Sequence, residues 1–311
     1  MRFTVEYPVS VPAYDPALLS PEGLTRVVQA AERLGFDAVA FTEHPAPSLK
    51  WLEGGGHESL DVTAALSFCA AVTRRIRLMT YLLVLPYRNP FLTAKAVATV
   101  DLLSGGRATV VAGAGYLKSE YRALGVDFEQ RNALFDEAVE VMRGVWTSVP
   151  FNHEGLHFTA QGVAAKPLPV QPGGPPIWIG GNSAMARRRA SRAQGWSPLM
   201  ISEEVARTTR MPAMSTVEQL ATAVAELQQL VEAAQGPGAP VEVQVQGPQS
   251  SWLHAGGTSP QEHVDHVGQL EQVGVGWFVV QPPGSSVAAA VEGLERYAAL
   301  LGLSAPSGAQ S

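Results

Sequence analysis

Leu34-Gly35-Phe36-Asp37-Ala38-Val39-Ala40-Phe41 joins the end of one helix to a buried strand through a single glycine. A glycine just past a helix end takes the left-handed cap that other residues resist, and an unbroken apolar run after it suits a strand covered on both faces. The same order recurs from Ser104 to Val111, from Gln194 to Met200 and from Val273 to Val280, with Gly105, Gly195 and Gly274 in the cap position. Helices alternating with continuous apolar strands predict βαβ units and a parallel sheet.

Working outward, the helices announce their own starts. Ser20-Pro21-Glu22 supplies an N-cap, a first-turn proline and a first-turn acid, and Leu24, Val27, Val28, Ala31 and Leu34 follow at helical spacing. Asn89-Pro90 opens another helix in the same way, and a third is expected from about Asn132 to Trp146. Strands are expected near 2–7, 37–41, 76–81, 107–112, 176–180, 196–200, 241–245 and 275–280. A doubly wound sheet fits this alternation too, but eight such units in 311 residues favour a (β/α)8 TIM barrel. The alternating stretch Phe151 to Thr159 adds a β-hairpin insertion between strands 4 and 5. The expected layout is one barrel domain over 1–303, with 304–311 as a flexible C-terminal tail.

Composition removes several functional classes. A formal net charge of −6 argues against nucleic acid, whose phosphates need a basic surface. No apolar run reaches membrane-spanning length, and the opening Met1-Arg2-Phe3-Thr4-Val5-Glu6 reads as a first strand, so a cytoplasmic location is expected. Cys69 is the sole cysteine, which excludes a disulfide framework. His153-Glu154-Gly155-Leu156-His157 matches the HExxH zinc pattern, yet that pattern needs a helix. Pro150, Gly155 and the strand-like alternation oppose one, so a hairpin turning at Glu154-Gly155 and no metal site are expected. His263 and His266 read as solvated residues on a polar helix face.

Barrel chemistry gathers at the C-terminal ends of the strands. Strand 2 ends in Thr42-Glu43-His44-Pro45, and an imidazole there can exchange a proton near neutral pH. Strand 4 ends in Gly113-Ala114-Gly115-Tyr116, where the glycines would let backbone approach a flat ligand and Tyr116 brings a hydroxyl. Strand 5 runs into Gly180-Gly181-Asn182-Ser183 and a helix, the order that a phosphate-cradling loop requires. Of Arg187, Arg188 and Arg189 in that helix, one at most would reach a phosphate.

Four stretches carry a resemblance: Leu34 to His44; Val84-Leu85-Pro86-Tyr87-Arg88-Asn89-Pro90 with Ala94-Lys95; Leu102 to Gly115; and Pro175 to Ser183. Together they resemble the luciferase-like monooxygenase superfamily, and within it the coenzyme F420-dependent oxidoreductases. The resemblance implies a single barrel holding a deazaflavin, coenzyme F420, or alternatively FMN. It implies His44 as a catalytic residue beside the ring. Thr80, Tyr81 and Leu82 would form a bulge behind the ring, often with a cis non-proline peptide. Gly113, Ala114 and Gly115 would pass beside the ring, and Gly180 through Ser183 would hold the phosphate. Tyr116 stands where sugar-phosphate dehydrogenases of this group carry a glutamate, which makes it a candidate for orienting substrate. The expected activity is hydride transfer between F420 and a small organic substrate. FMNH2-dependent monooxygenation and a non-catalytic flavin-binding barrel are the alternatives. A homodimer is a possible assembly. Pro45 to His57, with Trp51 and Gly54-Gly55-Gly56, is expected to be a mobile lid or loop.

Overall fold

The computed structural model describes residues 1–11 and 13–305. Most of the tail expected over 304–311 therefore lies outside the described residues. The strands are β1 (Arg2–Glu6), β2 (Ala38–Phe41), β3 (Arg77–Val84), β4 (Ala108–Gly113), β5 (Phe151–Glu154), β6 (Thr159–Val163), β7 (Ile177–Gly180), β8 (Gly195–Ser197), β9 (Glu242–Val245) and β10 (Trp277–Val280). Eight of them close a barrel in the order β1-β10-β9-β8-β7-β4-β3-β2, while β5 and β6 form a separate two-stranded sheet. The recorded strand pairs of the barrel are parallel. The expected barrel and its hairpin insertion between the fourth and fifth barrel strands are both present.

By internal contacts the chain divides into two compact units. The first holds Met1–Ala40, Arg75–Arg77 and the chain from Trp178 onward; the second holds Phe41–Arg74 and Leu78–Ile177.

In the first unit, the helix Pro21–Leu34 begins where Ser20 accepts the Gly23 N–H and ends where Gly35 turns left-handed at φ +90°. Its buried face is Leu24, Val27, Val28 and Ala31, as the spacing predicts. Two readings need correction here. Gly195 is not a helix cap: the preceding helix, Ala184–Ala190, ends earlier, and Gly195 lies within β8. A Cβ there would come 2.5 Å from the Trp178 ring, so packing against an indole demands the glycine. The histidines of the helix Pro260–Gln272 are not solvated: His266 is half-buried against Phe278 with its Nε2 covered, and His263 goes further. It is fully buried, with Nδ1 2.9 Å from Gln249 Oε1 and Nε2 3.0 Å from the Tyr297 hydroxyl, and it stacks on Trp252. Burial holds its pKa down at about 4.

In the second unit, Asn89 caps the helix Pro90–Ser104, which ends at Gly105 with φ +68°. Strand β3 is longer than expected because its pairing with β4 shifts register between Tyr81 and Leu83. The Tyr81–Leu82 peptide at that bulge is cis. The extra residue turns Leu82 over Gly113, where a Cβ would lie 2.6 Å from its Cδ1.

The hairpin β5–β6 pairs His153 with Ala160 and Glu154 with Thr159. Glu137 of the helix Arg131–Thr147 clasps it, accepting the backbone N–H groups of His157 and Phe158 and lying 3.1 Å from His153 Nε2. His153 and His157 therefore stand on a hairpin and share no helix face. Among the described residues no group of three metal-capable side chains occurs. Purified protein should accordingly carry no stoichiometric zinc by elemental analysis, and an equimolar amount would defeat this reading. His153 has a structural partner, so His153→Ala should cost about 1 kcal/mol and roughly 2 °C of melting temperature, with turnover unchanged.

Candidate active site

Strand β2 is wholly buried, and the residues after it turn in alternate directions. Glu43 turns inward: it is 4% exposed, accepts the Val84 N–H at 2.6 Å and receives Arg88 at 2.8 Å from Nε and 2.5 Å from Nη2. Burial raises its pKa, with Arg88 opposing the rise. Arg88 also reaches Asp61 at 2.8 Å. Burial acts on Asp61 in the upward direction, but Arg88 and the N–H of Ala64 outweigh it and hold this carboxyl at about 2. The other Asp61 oxygen caps the helix Val62–Val72. Arg88 therefore joins the end of β2 to the start of the helix Val62–Val72.

His44 is fixed at its backbone and at its ring. Its N–H donates to Ser59 Oγ at 2.8 Å, and Ser59 donates back to its carbonyl. Its Nδ1 lies 3.2 Å from Oε2 of Glu120, a fully buried side chain of the short helix Lys118–Ala123. The same carboxylate accepts the Tyr87 hydroxyl at 3.0 Å and the Ala46 N–H at 3.2 Å. Burial first, and the Glu120 charge second, push the Tyr87 pKa far up, so its hydroxyl keeps its proton and donates. A carboxylate ringed by donors accepts the N–H of His44 at Nδ1, so the other ring nitrogen, Nε2, is not part of that bond.

Three aromatic rings enclose that imidazole. Trp51 stands at 4.4 Å between centroids, His57 at 4.9 Å and Tyr116 at 6.3 Å. The segment expected as a mobile lid instead contains a turn of helix, Leu49–Glu53, with Ser48 capping the N–H of Trp51. Gly56 fits beneath the indole, since a Cβ there would come 2.3 Å from it. Burial, with the Glu120 charge behind it, raises the pKa of the Tyr116 hydroxyl to about 12, and the nearby Trp51 side chain opposes the rise. His57 Nδ1 lies 3.0 Å from the Glu58 carbonyl, which only accepts, so that nitrogen is the donor. Its pKa is lowered by burial and then by His44.

Of the residues singled out in the sequence, His44 and Tyr116 meet in this cluster. Thr80, Tyr81 and Leu82 lie on the β3 bulge, where Thr80 donates to the Val111 carbonyl and Tyr81 is 7% exposed. Gly113 and Gly115 answer a need inside the protein. Leu82 fills the space over the first, and Gly115, at φ +70°, has Val84 Cγ1 2.7 Å from its would-be Cβ. The carbonyl of Ala114 accepts the Tyr121 hydroxyl. Sequence reasoning missed Glu120 and the role of Glu43; an acidic residue five positions after Gly115 carries no local signal that would set it apart.

Gly180 to Ser183 belong to the first unit. Gly181, at φ +105°, donates to the Ser197 carbonyl, and its own carbonyl accepts the Trp196 indole N–H. Asn182 is buried and braces the loop, donating to the carbonyls of Leu199 and Pro212 and accepting the Leu199 N–H. Ser183 Oγ caps the Ala186 N–H. Arg187 donates to the Asn182 carbonyl and pairs with Glu226 at 2.8 Å, which ties it to the scaffold. Nothing comes nearer than 3.8 Å to a Cβ built on Gly181, so this glycine, unlike Gly113 and Gly115, has open space beside its backbone.

The sequence profile described as luciferase-like monooxygenase matches residues 1–235. An FMNH2-dependent dimethylsulfone monooxygenase of Pseudomonas putida is 32% identical over 178 residues, covering 55% of this chain and 46% of that protein. An F420-dependent glucose-6-phosphate dehydrogenase of Segniliparus rotundus is 33% identical over 182 residues, covering 56% and 51%. The match thus spans about half the length of these two curated relatives. Among solved structures, a monooxygenase from Streptomyces bottropensis superposes with a TM-score of 0.80 at 21% identity, covering 97% of this chain and 98% of that one. The F420-dependent tetrahydromethanopterin reductase of Methanopyrus kandleri gives 0.69 at 16% identity, covering 96% and 97%. At these identities the two superpositions speak to the fold.

Proposed function

The chain belongs to the luciferase-like monooxygenase family, and from that premise we propose that it is an oxidoreductase exchanging a hydride between coenzyme F420 and a small organic substrate. The observation that carries the proposal is His44, held through Nδ1 by the buried Glu120 at 3.2 Å and walled by aromatic rings. Hydride exchange at a carbon bearing oxygen or nitrogen moves one proton as well, and Nε2 of His44 is a one-proton station for it. A positioned general acid or base of this kind contributes roughly 10²–10⁴ in rate. Tyr116, a hydroxyl that its raised pKa keeps protonated, would hold the substrate heteroatom by a hydrogen bond.

Residues of the chain suit the expected cofactor in two respects. The open space beside the Gly181 backbone, just before the helix Ala184–Ala190, would leave room for a phosphate. The bulge at Tyr81 to Leu83 and the aromatic group around His44 offer flat apolar surface to a ring. The cofactor would supply the two-electron chemistry, and the protein would position it and manage the proton. FMNH2-dependent monooxygenation is the second reading, favoured by the 32% identity to the Pseudomonas putida enzyme.

Fluorescence titration with F420 and with FMN separates the two. F420 should bind at least tenfold more tightly, and turnover should proceed without oxygen. Tighter FMN binding with strictly oxygen-dependent turnover would replace the first reading by the second. Ser183→Asp keeps an N-cap while setting a carboxylate where the phosphate would sit, so it should weaken F420 binding at least tenfold in a folded protein. Unchanged affinity would remove this loop from the site.

A further inference from the structure

The first unit buries a second carboxylate that the proposed chemistry does not use. Thr4 and Glu6 lie on one face of β1, and Gln244 and Gln246 on one face at the end of β9, by the two-residue period of a strand. The lower pair closes on itself: Thr4 donates to Gln244 at 2.7 Å, and Gln244 reaches Ser197 at 3.4 Å. The upper pair is also joined, but through one oxygen of the carboxylate alone. Glu6 is 3% exposed, and its Oε2 accepts Nε2 of Gln246 at 2.6 Å and Nε2 of Gln281 at 3.0 Å. No cation pairs with it among the described residues. The Ser10 hydroxyl lies close enough to ease that carboxyl but makes no well-formed hydrogen bond. Barrel layers are ordinarily filled with branched apolar side chains. Here a carboxylate stands at the C-terminal end of β1, and Gln246 and Gln281 follow the C-terminal ends of β9 and β10. Those are the strand ends at which barrel proteins take their ligands.

The chemistry of the set selects the ligand. Both glutamine nitrogens are turned toward Glu6, so Oε1 of Glu6 and the Ser10 oxygen are the acceptors left for a guest; burial raises the Glu6 pKa above its ordinary value, and an arriving cation would oppose that rise. A divalent metal would want six or more oxygens, which one carboxylate cannot organise. A protonated amine brings one positive charge and up to three N–H donors. We infer that Glu6, Gln281 and Ser10 form a recognition site for the ammonium group of a small amine-bearing ligand. The inference goes beyond the redox reading and is tested without any cofactor, so either can fail alone.

The probe is n-butylammonium chloride, with sodium chloride and n-butanol as controls, read by melting temperature and by titration of tryptophan fluorescence. Wild type should gain about 2–5 °C from butylammonium near saturation and little from the controls. Glu6→Gln should weaken that binding at least tenfold while melting at or above wild type, because it removes a buried charge that lacks a cation. Ser10→Ala should keep the fold and weaken binding severalfold. No selective response of wild type, an equal response of Glu6→Gln, or a Glu6→Gln protein that melts well below wild type would each overturn the proposal. The last would make Glu6 a structural group.

Discussion

Replacing His44 with asparagine should cut anaerobic turnover by about 10²–10⁴-fold while F420 binding and melting temperature stay close to wild type. Asparagine keeps a donor and an acceptor near Glu120 and Ser59 but carries no exchangeable proton at neutral pH. The backbone anchors to Ser59 do not involve the ring, so the turn should persist. Glu120→Gln gives the sharper companion result. The carboxylate now receives His44 Nδ1–H, the Tyr87 O–H and the Ala46 N–H. A carboxamide has one accepting oxygen. Whichever way it turns, its NH2 faces either the Ala46 N–H or the pair formed by Tyr87 and His44. The variant should lose turnover with little change in KM, and nitrogen-15 NMR should find the His44 proton no longer confined to Nδ1. Near-normal anaerobic turnover in His44→Asn would remove the proton role from this residue. An unchanged tautomer in Glu120→Gln would remove the positioning role from Glu120.

The sequence told some of this and withheld the rest for physical reasons. Helix caps at Ser20, Asn89, Gly35 and Gly105 were legible because capping is a local contest between a few adjacent residues. Gly195 misled because a glycine that admits an indole and a glycine that caps a helix look alike in one dimension. His44 could be found from its place after a strand. Glu120 could not, since its partner lies 76 residues away and Lys118-Ser119-Glu120 reads as a solvated helix face. His263 failed in the same way: its neighbours Glu262 and Asp265 are polar, while the groups that bury it, Tyr297 and Trp252, come from other elements. The glycines after β4 were read from the needs of a ligand, and the structure adds a reason that the sequence could not show, since Leu82 and Val84 lie where their side chains would be.

Arg88→Met should be the most destabilising single change near the site, by about 3–5 kcal/mol, or on the order of 5–8 °C in melting temperature. Glu43 is 2% exposed at its side chain, and Arg88 is its one cationic partner among the described residues. Methionine fills similar volume but leaves the carboxylate buried against the Val84 N–H alone. It also frees Asp61, which lets the start of the helix Val62–Val72 loosen. The pH dependence carries a sign that tests the cause. The folded-state pKa of Glu43 is already raised above its ordinary 4.5, so ionised Glu43 costs stability above that value. The cost is relieved as pH falls through the folded pKa and the group takes up a proton. Removing Arg88 enlarges the cost, so the gap between variant and wild type should be widest near neutrality and narrow on acidification toward pH 4.5. Asp61 works in the same direction: its pKa of about 2 gives wild type a contribution that is present above 3.8 and lost as pH falls toward 2. Arg88→Met combined with Glu43→Leu should recover most of the loss at neutral pH, since an apolar pair leaves no buried charge behind. A gap that stays constant with pH, or a double variant no better than the single one, would mean that Arg88 acts through its packing and not through its charge.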